Sequence, residues 1–214
     1  SSTDRAEISN VGVINSNIQG YQYVGGIVGY SYYANITNCY NTSSVSGSSL
    51  YVGGVVGYNY SATVSNSYNT ATVTSSSSYV GGVAGNNSSS TVSNSYNMGS
   101  VTGISYVGGV VGENYQATVE NSYNTGTVTG KKSNVGGVVG RNYSSSTVEN
   151  SYNTGSVTGS SSNVGGVVGY NSSATVENSY NTGTVAGSSS VGGVVGYNSS
   201  ATVENSYNTG TVAG

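Results

Sequence analysis

Few side chains in this sequence could carry out acid–base or nucleophilic chemistry. The 214 residues include no histidine, one cysteine, seven acidic residues and four basic residues. Because histidine is the commonest general base and metal ligand, its absence removes most catalytic arrangements. Cys39 replaces the serine of a recurrent Asn-Ser-Tyr segment, and no histidine is available to activate its thiol. We therefore predict no catalytic residue, no metal site and no cofactor, and we expect that the protein is not an enzyme.

A column of glutamates recurs at equivalent positions in the second half of the chain. One interpretation is a calcium-binding stripe, since hard cations require several oxygen ligands. The alternative is a solubility device on an exposed face, and we favour it because the Asp-rich motif of calcium-binding solenoids is missing. The column consists of Glu120, Glu149, Glu177 and Glu204.

The most regular candidate for a binding surface is the tripeptide Thr-x-Thr. Residues i and i+2 of a strand share a face about 7 Å apart, so stacked copies would form a flat grid. Such a grid resembles the ice-binding face of β-solenoid antifreeze proteins, although threonine is also an ordinary outward residue of a strand. The pattern occurs at Thr70/Thr72, Thr125/Thr127, Thr182/Thr184 and Thr209/Thr211.

Tyrosine is the second candidate for surface contacts. Its rigid, amphipathic ring is common at adhesive faces, where it stacks on sugars or on another chain. The same rings could instead only shield turns, and the sequence does not choose between these roles. The tyrosines in question are Tyr58, Tyr60, Tyr115, Tyr170 and Tyr197.

These residues recur because the whole chain is an internal repeat. Val-Gly-Gly begins at Val24, Val52, Val80, Val107, Val135, Val164 and Val191, with intervals of 27 to 29 residues. The small length changes fall in two segments, which we expect to be surface loops because insertions are tolerated there. A valine column predicted to form a core ladder holds the same phase, at Val64, Val92, Val119, Val148, Val176 and Val203.

The repeat predicts an all-β fold without helices. β-Branched and aromatic residues favour strands, and glycine at this density opposes helix formation. Three short strands per period of about 28 residues indicate a β-solenoid (parallel β-helix) of about seven and a half coils. Equivalent residues would then stack about 4.8 Å apart, and asparagine columns such as Asn66, Asn94 and Asn121 would form hydrogen-bonded ladders at corners. A seven-bladed propeller is less favoured because it needs about 40 residues per blade. A disordered chain is less favoured because the columns are apolar.

The predicted organisation is one repeat domain over residues 1–214. It begins with a degenerate half coil and ends with a repeat that has no cap. The boundaries are 6–20 for the half coil, 24–51, 52–79, 80–106, 107–134, 135–163 and 164–190 for the full repeats, and 191–214 for the last repeat.

Charge and composition limit the possible partners. A net charge of −3 argues against binding of nucleic acid, which requires a basic patch. No run of about 18 apolar residues exists, so we expect no membrane insertion. Richness in Ser, Thr, Asn and Tyr suits an extracellular or cell-surface protein. Sequons that could be glycosylated in a suitable host begin at Asn59, Asn87, Asn142, Asn171 and Asn198.

The repeat resembles the GLUG family, whose members carry Gly-Gly-Leu-Val-Gly, then Asn, then Asn-Ser-Tyr-x-Thr-Gly followed by valine. The last copy has Gly192-Gly193-Val194-Val195-Gly196, Asn198, Asn205-Ser206-Tyr207, Thr209-Gly210 and Val212. Valine or isoleucine replaces the leucine in every copy, and the resemblance covers about residues 20–214. It implies a region of a large bacterial or archaeal cell-surface or adhesin-like protein, and it carries over no active-site residues.

These observations predict a non-catalytic structural surface protein. It would be a β-solenoid rod serving as a stalk, an adhesin repeat region or a self-assembling extracellular fibre subunit. The sequence stops in mid-pattern, so we expect the partner to be the protein itself, by end-to-end stacking, or the rest of a longer surface protein. The alternative is a ligand-binding solenoid that uses the Thr-x-Thr or Tyr/Asn columns to bind ice or cell-surface polysaccharide.

Overall fold

The computed structural model describes residues 5–214, and all paired strands in it are parallel. Thirty-eight short strands form five sheets, and every full coil contributes one strand to each sheet. Neighbouring strands of a sheet come from consecutive coils, so the chain winds as a β-solenoid. Seven coils of five strands are followed by three strands of an eighth. The predicted β-solenoid is therefore confirmed.

The five sheets are numbered here in the order in which the chain enters them. Sheet 1 contains Ala6–Ser9, Ala34–Thr37, Thr63–Ser65, Thr91–Ser93, Thr118–Glu120, Thr147–Glu149, Thr175–Glu177 and Thr202–Glu204. Sheet 2 contains Gly12–Val13, Tyr40–Asn41, Tyr68–Asn69, Tyr96–Asn97, Tyr123–Asn124, Tyr152–Asn153, Tyr180–Asn181 and Tyr207–Asn208. Sheet 3 contains Asn17–Gly20, Ser44–Gly47, Val73–Ser75, Val101–Gly103, Val128–Gly130, Val157–Gly159, Val185–Ala186 and Val212–Ala213.

The two remaining sheets have seven strands each. Sheet 4 contains Val24–Gly25, Val52–Gly53, Val80–Gly81, Val107–Gly108, Val135–Gly136, Ser162–Gly165 and Ser189–Gly192. Sheet 5 contains Val28–Tyr32, Val56–Tyr60, Ala84–Ser88, Val111–Tyr115, Val139–Tyr143, Val168–Ser172 and Val195–Ser199. Among residues 5–214 there is no helix long and apolar enough to cross a bilayer.

Each coil has three corners, which explains why sequence patterns predict three strands where the structure has five. A corner residue with positive φ separates sheet 1 from sheet 2 (Asn66), sheet 3 from sheet 4 (Tyr79) and sheet 5 from sheet 1 (Ser61). Two of the three sides bend once, between sheets 2 and 3 and between sheets 4 and 5, and each therefore divides into two strands. The extra residue of the longer repeat lies at a corner, where Ser144 and Ser145 both have positive φ.

The corner asparagines differ from the prediction. Asn66, Asn94 and Asn121 are exposed and adopt φ of 47–49°. Asparagine occupies this left-handed conformation more readily than other non-glycine residues, because its short side chain forms local hydrogen bonds. Among the described residues of this column, only Asn38 and Asn10 are joined by an amide hydrogen bond, at 3.4 Å, so the prediction that the column forms a hydrogen-bonded ladder was wrong. The amide ladders are built by two other asparagine columns, both inside the coil.

The apolar core consists of two stacks of valine. One stack combines the valines of sheet 1 with the paired valines that begin sheet 5, and the other lies between sheets 3 and 4. Within sheet 1 the stacked residues pair in register and are fully buried, except on the first coil, where Ile8 is half-buried, and on the last coil, where Val203 is 39% exposed. After Ile8, this ladder consists of Ile36, Val64, Val92, Val119, Val148, Val176 and Val203.

Buried amides form two ladders inside the coil, one beside the bend between sheets 2 and 3 and the other at the corner between sheets 5 and 1. In the first amide ladder each Nδ2 donates to the Oδ1 of the next coil at 2.7–2.8 Å. A second ladder in sheet 5 has equivalent bonds of 2.8–3.0 Å. The first comprises Asn41, Asn69, Asn97, Asn124, Asn153, Asn181 and Asn208, and the second Asn59, Asn87, Asn114, Asn142, Asn171 and Asn198.

A hydroxyl face and an aromatic corner as candidate functional sites

One side of the solenoid, formed by sheets 2 and 3, presents only uncharged side chains. Along residues 122–130 burial alternates strictly: Ser122, Asn124, Gly126 and Val128 are buried, and the residues between them are half-buried or exposed. Because alternate residues of extended chain point to opposite faces, this side presents four outward residues per coil. In the central coil they are Tyr123, Thr125, Thr127 and Thr129.

We call this surface the hydroxyl face and define it by four files of side chains that run along the solenoid. The tyrosine file is Tyr40, Tyr68, Tyr96, Tyr123, Tyr152, Tyr180 and Tyr207. The next two are Thr42, Thr70, Met98, Thr125, Thr154, Thr182 and Thr209, and Ser44, Thr72, Ser100, Thr127, Ser156, Thr184 and Thr211. The fourth is Ser46, Thr74, Thr102, Thr129, Thr158, Ala186 and Ala213.

The eight threonines predicted from Thr-x-Thr all lie on the hydroxyl face and are exposed. They do not lie in strands, however, but in the bend between sheets 2 and 3. The bend forms because a buried amide binds the intervening residue: Asn181 donates to the Gly183 carbonyl at 2.8 Å and accepts from the Gly183 N–H at 3.3 Å. Thr184 donates to the Ser156 hydroxyl of the preceding coil at 3.0 Å.

Sequence reasoning missed the tyrosine file and the fourth file as parts of this surface. The signal was present, since the alternation of polar and buried residues continues on both sides of Thr-x-Thr. The strand predicted from the sequence begins at threonine and therefore leaves out the neighbouring files. The structure thus doubles the width of the candidate surface from two files to four.

The tyrosine file is a continuous stack of rings. Neighbouring ring centroids lie 4.9–5.4 Å apart, with interplanar angles of 3–12°. Each ring covers the faces of its neighbours, so the file presents ring edges and phenol hydroxyls to solvent. Burial, followed by the adjacent tyrosines, raises the pKa of Tyr96, Tyr123, Tyr152 and Tyr180. Because neighbouring rings cover these faces, no free ring face is left along the file on which a sugar could stack.

The predicted glutamate column occupies the outward face of sheet 1, around a corner from the hydroxyl face. The four residues pair in register, from Glu120 to Glu204. Glu120, Glu149 and Glu177 are half-buried and Glu204 is exposed. No group of three or more His, Cys, Asp or Glu that could hold a metal ion is found within residues 5–214.

The second candidate site is an aromatic corner where sheets 3, 4 and 5 approach each other. Tyr51 and Tyr79 are corner residues with φ of 66° and 64°, and their rings stack at 4.9 Å. Tyr58 of sheet 5 meets Tyr51 edge-to-face at 5.0 Å. Burial, helped by neighbouring tyrosines and Glu113, raises the pKa of Tyr51 to about 12. The aromatic corner is defined by Tyr23, Tyr51, Tyr79 and Tyr106 together with Tyr30 and Tyr58.

Three polar residues replace tyrosine in the middle of the sheet 5 column. Asn86 donates to Glu113 at 2.8 Å, and Arg141 pairs with the other carboxylate oxygen of Glu113 at 3.0 Å. The Arg141 guanidinium also lies 4.3 Å from the ring centroid of Tyr143. The Glu113 side chain is only 12% exposed. Burial raises the pKa of Glu113, and Arg141 and Asn86 offset part of that rise.

The tyrosines singled out in the sequence lie on the outward face of sheet 5 and are distributed along its length. Their rings stack with tyrosines of adjacent coils, at centroid distances of 5.2–5.8 Å. These pairs are Tyr30–Tyr58, Tyr32–Tyr60, Tyr115–Tyr143 and Tyr170–Tyr197.

The asparagines of the predicted sequons belong to the second amide ladder of the interior. Asn59, Asn87, Asn142 and Asn171 are fully buried in the second amide ladder, and only Asn198 on the last coil is exposed. An enzyme could not reach the four buried amides in the folded protein. Cys39 is likewise buried: its thiol donates to the Thr37 carbonyl at 3.3 Å, in the column where other coils have serine.

Comparison with known proteins agrees with this architecture. A model of the GLUG motif matches residues 20–46, 48–74, 103–129, 133–158, 160–186 and 187–213, which is more than half of the chain. The unmatched repeat carries Ala84, Asn86 and Met98 in place of the usual residues, yet it forms the same five strands. No curated protein sequence matches the chain.

Among solved structures, the fold is similar to that of a protein described as a "putative immunoglobulin A1 protease" from Bacteroides ovatus. The TM-score is 0.58 with 14% sequence identity, and the match covers 88% of this chain and 78% of that one. At this identity the likeness concerns the fold alone. The six motif matches, by contrast, identify the repeat itself, and the chain belongs to the GLUG-motif family.

Proposed function

We propose that this protein is a non-catalytic structural module of an extracellular surface protein, acting as an adhesin-like repeat region. The observation that carries this proposal is the unbroken register of side-chain ladders in all five sheets. Valine, asparagine and tyrosine columns each repeat once per coil, so every coil supports its neighbours in the same way. Such a design produces a rigid body with large repetitive faces rather than a cleft.

The geometry favours the presentation of regular side-chain faces over extension as a spacer. A coil of about 28 residues advances the solenoid by only about 4.8 Å, whereas a helix advances about 1.5 Å with every residue. Used as a spacer, the solenoid would therefore extend very little for its length. It instead presents regular faces of stacked side chains, which suits a surface that makes many weak contacts at once.

The parallel register between coils supports a partner of the same kind. Consecutive coils are joined by parallel strands in which like residues pair, as Val164 pairs with Val191. Parallel strand edges accept another strand of matching register. We propose that the protein associates with itself by end-to-end stacking, or with the rest of a longer surface protein, by continuing this register.

Surface location is tested by mild proteolysis of intact cells that produce the protein. Chymotrypsin suits the experiment because the chain has 21 tyrosines and only four basic residues. We expect peptides of this chain to be released from intact cells while a cytosolic marker stays protected. Release only after lysis would contradict the proposal.

A second candidate function is binding of ice or polysaccharide by the hydroxyl face, supported by its two exposed files, which consist of Thr and Ser except for Met98. Ice binding predicts thermal hysteresis that disappears in a Thr127→Lys/Thr184→Lys variant. Polysaccharide binding predicts retention on an insoluble glycan that the same variant abolishes. If the unmodified protein shows neither effect, this candidate is excluded.

A further inference from the structure

We infer that the hydroxyl face is a self-association surface, on which a second copy of the chain docks side by side through its own hydroxyl face. This contact is distinct from the end-to-end stacking proposed above, because it uses the side of the solenoid and leaves the strand edges free. The inference rests on three properties of the face: its composition, its area and its regularity.

The composition matches the centre of a protein–protein interface. Charged residues are depleted and tyrosine is enriched in such centres. None of the four files contains a charged residue, so the charged side chains of the chain lie outside the hydroxyl face. The glutamate column lies on sheet 1, beyond the Asn121 corner, and Lys131 and Lys132 follow the fourth file in an exposed loop. Two faces of this kind can approach without bringing like charges together.

The area is that of a stable interface. Four files spaced about 7 Å apart span about 20 Å, and seven coils spaced about 4.8 Å apart span about 30 Å. With the width of the outermost side chains included, the face covers roughly 800 Å². That equals the area of about 800 Å² that each partner contributes to a standard protein–protein interface.

The regularity of the face makes it complementary to itself. A second copy carries the same files at the same coil spacing, so contacts made at one coil recur at each of the remaining coils. Paired sheets with identical, repeating side chains interdigitate in this way in dry cross-β interfaces. The stacked tyrosine rings expose edges and hydroxyls, which fit between threonine side chains and do not offer the open ring faces that a sugar would need.

Sedimentation velocity over a range of protein concentrations tests the inference. We expect a monomer–dimer equilibrium for the unmodified chain and only monomer for Thr127→Lys/Thr184→Lys, which places two charges in the third file. The matched control is Thr118→Lys/Thr175→Lys, on the outward side of sheet 1, and it should dimerise like the unmodified chain. Loss of dimer in the face variant alone supports the inference.

Several results would overturn it. These are a monomer at every concentration, equal behaviour of both lysine variants, or a mass distribution that extends past the dimer and is unchanged by the face variant. The last result would place the contact at the solenoid ends, because end-to-end stacking is open-ended. Retention on a glycan without dimerisation would assign the face to polysaccharide.

Hydroxyl-radical labelling of the unmodified protein avoids any effect of substitution on folding. Tyr123 and Tyr152 of the hydroxyl face should become protected at high protein concentration, while Tyr58 and Tyr170 of sheet 5 should react equally at all concentrations. Equal labelling of Tyr123 and Tyr152 under both conditions would contradict side-by-side association.

Discussion

At the residue scale, the buried asparagines are the polar groups on which the interior depends. The Asn124 amide takes part in four hydrogen bonds. Its Nδ2 donates to the Gly126 carbonyl and to Asn153, at 2.7 and 2.8 Å. Its Oδ1 accepts from Asn97 at 2.8 Å and from the Gly126 N–H at 3.2 Å. One side chain thus satisfies its own polar atoms and the backbone of the bend beside it.

Replacing Asn124 with alanine should therefore be costly. Asn124→Ala leaves the buried N–H and carbonyl of Gly126 without these partners, and each orphaned group costs about 1–3 kcal/mol. We expect the free energy of unfolding to fall by about 3 kcal/mol in urea denaturation. The neighbouring exposed substitution Thr125→Ala should change it by less than about 0.5 kcal/mol. Equal effects of the two substitutions would show that the amide ladder is not stabilising.

The second amide ladder has a defect that can be repaired. Ser31 occupies its position in the first sheet 5 strand, and the buried Oγ of Ser31 and Oδ1 of Asn59 both lack a hydrogen-bond partner. In Ser31→Asn a new Nδ2 would reach Asn59 Oδ1, as Asn59 reaches Asn87 at 3.0 Å. We expect a gain of about 1 kcal/mol in unfolding free energy. A loss of stability would indicate that the site cannot hold the larger side chain.

Glu113 should make stability depend on pH in an identifiable way. Burial raises its pKa above the usual 4.5, so the folded state binds the proton more tightly than the unfolded state. The stabilising contribution is therefore full below about pH 4.5 and is lost as the pH rises through the folded-state pKa. We expect the melting temperature of the unmodified chain to fall more between pH 4 and pH 7 than that of Glu113→Gln. Parallel profiles would contradict this assignment.

At the element scale, glycine allows the backbone of adjacent coils to approach the amide ladder. None of the glycines in residues 5–214 has positive φ, so their role here is space and not conformational freedom. A Cβ on Gly109 would overlap the carbonyl oxygen of Gly137 and the amide of Asn124. The Gly-Gly pair of each repeat is thus required where sheet 4 turns into sheet 5.

Gly109→Ala should consequently destabilise the protein by about 3 kcal/mol, because a packed interior must shift to accept the methyl group. Gly103→Ala is the comparison variant. The atoms nearest to a Cβ there belong to the side chains of Val80 and Val107 and not to backbone, and the equivalent residue of the preceding coil is Ser75. Chemical denaturation compares the two variants, and a larger loss for Gly103→Ala would contradict this explanation.

At the scale of the whole molecule, the coil is the unit that can be removed. Deleting residues 164–190 joins Asn163 to Val191, the equivalent of Val164, and leaves every ladder one rung shorter. We expect a folded, shorter solenoid with a slightly lower melting temperature, because stability is approximately a sum over coils and their interfaces.

Deleting only residues 177–190 removes half a coil and is the control. Sheet 1 would then be followed directly by sheet 4, and the buried and exposed columns would no longer align. We expect this variant to aggregate or to show little β-structure by circular dichroism. A cooperative unfolding transition in it, with a melting temperature near that of the full chain, would show that coil register does not determine stability.

The sequence by itself determined the solenoid, its period and its valine ladder, because identical residues recur at fixed spacing and the burial of one implies the burial of all. It also placed the Thr-x-Thr residues on the surface. It did not determine which asparagines form ladders, since corner and interior columns contain the same residue type and differ only in backbone conformation.

Only the tertiary structure decided how the outward columns combine. The hydroxyl face joins two short sheets across a bend, and the bend depends on hydrogen bonds from Asn124 and its equivalents that connect neighbouring coils. The Asn86–Glu113–Arg141 contacts likewise link residues 27 and 28 positions apart in the chain. Local patterns specify which residues repeat, but the contacts between coils decide which repeated residues become neighbours.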